Sequence, residues 1–114
     1  MKENIKDING IVEFSHQIIP VVEGDEAIWN DAARIIVIEI IFAFCLRHGS
    51  SWEIRDLLDA ASSDKATIKD IIYYAPKGRD VVEVILNDSN EKWLEVHHCL
   101  KSKIASFSHQ ENVS

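Results

Sequence analysis

Residues 28–49 read IWNDAARIIVIEIIFAFCLRHG. A tryptophan opens the stretch, Ala32-Ala33-Arg34 follows about one turn later, and over residues 35–46 only Glu39 interrupts the apolar side chains. Projected on a helix at about 100° per residue, Trp29, Ala33, Ile36, Ile40 and Phe44 fall on one side, and Ile38, Ile41 and Phe42 on the other. A helix that is apolar all round must be enclosed. The run is shorter than the ~20 residues a bilayer span requires, so other helices have to enclose it. It is expected to span 26–48, capped by Asp25 and stopped by Gly49, as the hub of a bundle. Ala32 and Ala33 let a neighbour come close. Arg34 falls among Ile38, Ile41 and Cys45, so its charge needs a partner: Asp31, three residues earlier, or a carboxylate from another helix. Glu39 has the same need from the opposite side. Trp29 is expected inside the hub, where truncation to Ala would cost about 3–5 kcal/mol.

The remaining apolar residues supply helices to pack around it. Ile8, Val12, Ser15 and Ile19 recur at spacings of three and four, so 7–19 reads as an amphipathic helix with Asp7 in position to cap it and Pro20 to end it. After a connector at 21–24 and the central helix, Ser50-Ser51-Trp52-Glu53 forms a capping-box pattern that opens a third helix at about 51–61. Ser62-Ser63-Asp64 restarts the chain into a fourth near 65–74, and Pro76-Lys77-Gly78 marks a turn. A fifth helix is expected over 79–87, although the β-branched residues of 81–86 also suit a strand. Asp88-Ser89-Asn90-Glu91 is a second capping box, opening a last helix at 89–106 through Trp93, Val96, Leu100 and Ile104. Residues 108–114 are expected as a loose tail. The reading is all-α: one domain over 1–114, a compact bundle of about six helices around the central apolar helix 26–48.

Charge narrows the function classes. The chain carries 12 Lys and Arg against 19 Asp and Glu, a net charge of −7. Broad capture of nucleic-acid backbones is therefore disfavoured, because such binding rests on cations that displace counterions. The imbalance lies in the first 63 residues, with five basic and eleven acidic side chains, whereas 64–104 hold seven of each. Lys65, Lys69, Lys77, Arg79, Lys101 and Lys103 form the main basic concentration, read as a solvated face or as a contact surface for DNA or an acidic partner. Cys45 and Cys99 fall inside expected helices without CxxC spacing, which suits buried thiols in a reducing compartment. The polar start, Met1-Lys2-Glu3-Asn4, is unlike a signal peptide, so the chain is expected in the cytoplasm.

Chemistry finds little support. A phosphate loop needs Gly-x4-Gly-Lys-[Ser/Thr], and none of Gly10, Gly24, Gly49 and Gly78 precedes a lysine. Cys45 and His48 at i, i+3, with His97-His98-Cys99 on the last helix, make a Cys/His metal site conceivable. Adjacent helical residues diverge, however, so at most two of that trio would face one ion. A Cys–His nucleophile lacks a third, orienting group.

The order Ile19-Pro20, an acidic spacer, Trp29, then Ala33-Arg34 and a long apolar helix resembles the all-α domain of type IV secretion coupling proteins, the TraD/TraG-type conjugation ATPases. In that family the pattern is approximately Ile-Pro, an acidic residue, Pro-Phe-Trp, three residues and Ala-Arg ahead of a hydrophobic helix. Ala27-Ile28 stand where the family favours Pro-Phe. The similarity covers about residues 5–107, in the second half by helix order alone, and makes Pro20, Trp29, Ala33 and Arg34 the signature. It implies a non-catalytic domain inserted into a larger ATPase that is hexameric and membrane-anchored. This domain would be monomeric alone and lie at the cytoplasmic mouth of the ring. There it would recognise a relaxase, a relaxosome accessory protein or the single-stranded DNA they carry. ATP and magnesium would belong to the parent protein, leaving no cofactor here. The alternative is a free-standing acidic adaptor or inhibitor of a basic partner.

Overall fold

The computed structural model describes residues 8–49, 51–72 and 90–113. These form five helices: α1 (Ile8–Ile18), α2 (Ala27–His48), α3 (Ile54–Ala61), α4 (Lys65–Ile72) and α5 (Asn90–Val113), with no strand among the described residues. The helix and turn expected over 76–87 lie outside the described residues, as do Asp7, Ser50 and the capping box at Asp88.

The central helix occupies the position its composition demands. α2 packs against all four other described helices. Its Ala33, Ile36, Val37, Ile40, Ile41 and Ala43 are fully buried, and Ile35, Ile38, Phe42 and Phe44 pack on the core from the remaining directions. Burial all round follows from side chains that are apolar all round. The start differs from the expected Asp25 cap. Glu26 occupies the cap position without a side-chain bond, and the first amide, that of Ala27, donates to the carbonyl of Gly24 at 3.2 Å. Gly24, at φ +96°, makes that tight entry accessible to the backbone. At the other end Gly49, at φ +60°, returns its amide to the Cys45 carbonyl and stops the helix.

Two boundaries fall elsewhere than expected. α3 begins at Ile54 rather than near 51, because Trp52 leaves the helical path to enter the core at 2% exposure. It reaches an aromatic cluster there, 6.3 Å from the Phe14 ring and 5.7 Å from Phe44, while Phe14 meets Phe107 edge-on at 5.6 Å. The α3 start is closed instead by the Asp56 carboxylate, which accepts from the amide of Glu53 at 2.8 Å. Asp64 does the same for α4, accepting from the Thr67 amide at 2.9 Å, and that bond holds its carboxyl below the usual range. α5 runs to Val113 rather than ending near 106, so 108–113 continue the helix instead of forming the loose tail expected. No helix among the described residues is long and apolar enough to cross a membrane.

Candidate functional site

The four signature residues sit around one piece of construction. α1 ends at Ile18, leaving the carbonyls of Ile19 and Pro20 without helical partners. Arg34 is buried, and its Nε donates to the Ile19 carbonyl at 2.8 Å while Nη1 donates to Asp31 Oδ1 at 2.9 Å. One turn earlier on α2, Asn30 Nδ2 donates to the Pro20 carbonyl. A guanidinium at the carbonyl end of α1 also complements the helix dipole. Arg34 is thus the clamp that fixes the exit of α1 against α2, with the i, i+3 partner Asp31. Asp31 is 58% exposed, so the ion pair orients the guanidinium more than it stabilises the fold. Arg34→Ala is expected to cost about 2 kcal/mol by stranding the Ile19 carbonyl, against less than about 1 kcal/mol for Asp31→Ala, both read from urea midpoints.

Glu39 is different. It is buried, its Oε2 has no hydrogen-bond partner among the described residues, and burial pushes its pKa up to about 7. The pairing expected for it is not found there; burial raises its affinity for a proton instead.

Trp29, expected in the hub, is only half-buried. It stands at the junction of two grooves, each of about 360 Å³, between the first turns of α2 and the face of α5. In the first groove Asp25, Glu26 and Asn30 face Glu95, His98 and Cys99. The second continues past Trp29 and Glu95 to Leu94, Lys92 and Glu91. The α5 contributors follow helical spacing: Glu91, Leu94, Glu95, His98 and Ser102 share one stripe, opposite the buried stripe of Trp93, Val96, Leu100 and Phe107. Leu94 and, beside Trp29, Ile28 are large apolar residues at 64% and 65% exposure. Cys99 donates from Sγ to Asn30 Oδ1 at 3.4 Å, and burial raises its thiol pKa. A thiol so held is protonated, a poor nucleophile.

Among the described residues the basic side chains divide between two places. Lys65 lies over the Trp93 ring, 5.8 Å from its centroid, and Trp93 stacks on His97 at 4.8 Å. Burial lowers the His97 pKa, with Lys101 adding to it. Lys65 and Lys101 therefore approach the same aromatic pair. Lys69 sits half-buried on α4, and Lys103 turns the other way, into the acidic groove. Lys77 and Arg79 lie outside the described residues.

His97 is engaged elsewhere than the conceived metal site. Its Nε2 donates to the last carbonyl of α3, Ala61, at 2.9 Å, whereas His48 is exposed at the end of α2 against Phe44. Among the described residues no three of His, Cys, Asp and Glu are grouped to hold a metal ion. Comparison with protein-family profiles, with characterised proteins and with solved structures returns no match.

Asn30 and Leu94 were not singled out by the sequence reading. Leu94 carried a signal, an apolar residue on the polar side of α5. Asn30 carried a weaker one, a polar residue one turn before Arg34 on the same face.

Proposed function

We propose that this chain is a non-catalytic, substrate-receiving domain of a type IV secretion coupling protein, acting on the cytoplasmic side of a hexameric, membrane-anchored ATPase. The observation that carries the reading is the clamp. Arg34 and Asn30 tie the Ile19-Pro20 exit to α2, and Trp29, next to Asn30, lines a surface groove and is half-buried. A spacing of Ile-Pro, Trp and Ala-Arg has a physical reason in such a unit: Arg34 reaches back to the Ile19 carbonyl and the tryptophan is presented at the surface. Tryptophan at a half-buried position with exposed apolar neighbours is the residue type that concentrates binding energy in protein interfaces. The ligand proposed is therefore a relaxase or relaxosome accessory protein, with single-stranded DNA bound weakly by scattered lysines.

Titration of the chain against purified relaxosome proteins and against single-stranded DNA, at about 50 mM and about 200 mM salt, tests this. Binding of a relaxosome protein that survives the higher salt, with DNA binding that collapses, is the expected result. Failure to bind any relaxosome protein would overturn it and favour an acidic adaptor, and salt-resistant DNA binding would overturn both readings.

A further inference from the structure

The groove at Trp29 has a chemistry that specifies more than "protein". Trp29 and Leu94 are the apolar side chains that line it, and carboxylates border them on both helices. Asp25 and Glu26 stand on the α2 side and Glu91 and Glu95 on the α5 side, against Lys92 and Lys103. The surplus of carboxylates is local as well as global, since the whole chain is at −7.

We infer that this groove receives an amphipathic helical segment of the partner, one bearing lysine or arginine along the edges of an apolar stripe. The inference rests on the receiving role proposed above and names the chemistry of what is received. An apolar stripe at i, i+3, i+4 and i+7 fits a groove between two helix faces and covers Trp29 and Leu94. Flanking cations meet the four carboxylates, which speeds encounter and fixes orientation. An acidic or purely apolar segment would leave those carboxylates facing like charge or desolvated without a partner. A nucleic-acid backbone is repelled by the same carboxylates.

The probe is a synthetic peptide of about 18 residues, leucine and lysine only, with leucines at i, i+3, i+4 and i+7. A control of identical composition is permuted to remove the stripe. Binding to the 114-residue chain is followed by tryptophan fluorescence; Trp52 and Trp93 are buried, at 2% and 7% exposure, so Trp29 supplies the response. The striped peptide is expected to bind at least about tenfold tighter than the permuted one. Leu94→Ser and Glu95→Lys are each expected to weaken it about tenfold with helicity unchanged. Glu13→Lys, an exposed acid on α1 with the same change of charge, is expected to leave it within about twofold.

Equal binding of both peptides, or indifference to Leu94→Ser and Glu95→Lys, overturns the inference. So does a concentration-dependent dimer of the chain that Leu94→Ser abolishes, because the groove then belongs to a second copy. A relaxosome protein bound equally by wild type and Leu94→Ser removes the groove while leaving the receiving role intact; failure of every relaxosome protein to bind, with the peptide still selected, does the reverse.

Discussion

Replacing Trp52 with alanine is expected to destabilise the fold by about 3–5 kcal/mol, the cost of truncating a buried aromatic. The residue precedes α3 but is 2% exposed, and its ring joins Phe14 of α1 to Phe44 of α2 in a cluster that Phe107 of α5 completes. Its loss leaves a cavity among elements drawn from the whole chain, which local collapse cannot fill. The companion substitution Trp29→Ala is expected to cost only about 1 kcal/mol, because that ring already borders solvent in the groove. Chemical denaturation of both variants measures the difference. Equal losses would mean that Trp29 belongs to the core after all.

The second large effect is a pH dependence. Glu39 has its pKa raised from 4.5 to about 7 by burial alone, with no charged neighbour contributing. The folded state therefore binds this proton more tightly than the unfolded state does. The stability contributed by the protonated form is complete below about pH 4.5, is lost as the pH rises through about 7, and stays lost above that. Glu39→Gln mimics the protonated carboxyl. It is expected to change stability little at pH 4.5 and to raise it by about 2 kcal/mol at pH 8, below the ~3 kcal/mol of the full shift because water screens part of the carboxylate. Urea midpoints of both chains across that range decide it. A wild type more stable at pH 8 than the glutamine variant would show that Glu39 is charged and paired.

The hub was legible because an all-apolar helix interrupted by a glutamate has few alternatives: too short to span lipid, too greasy for a surface. The Arg34–Asp31 pair was legible from i, i+3 spacing, but the main-chain partner of Arg34 was not, since nothing local says that a guanidinium will reach back to the Ile19 carbonyl. The capping-box spacing predicts a helix through Trp52, and tertiary packing overrides that local preference by drawing the ring into the aromatic cluster. Trp29 lies outside the hub for the complementary reason. Helical projection assigns a side but not what covers it, and the far wall of its groove comes from α5. Asn30 and Cys99, which meet across that groove, are 69 residues apart in sequence. The basic residues show the same limit: spacing on α5 sets Lys101 and Lys103 on different faces, and only the fold shows one beside His97 and the other among carboxylates.

In the role proposed for it, this chain recognises protein through the Trp29 groove rather than nucleic acid through its lysines. Amide chemical shifts of the 15N-labelled chain, followed by NMR as a purified relaxosome protein or single-stranded DNA is added, test it most directly. With the protein, perturbations are expected to concentrate on residues 24–30 and 91–99, where the two groove walls lie, and with DNA to be small and abolished by salt. Perturbations centred on Lys65, Lys69 and Lys101 with DNA, persisting at about 200 mM salt while residues 24–30 stay silent under every protein added, would contradict the claim.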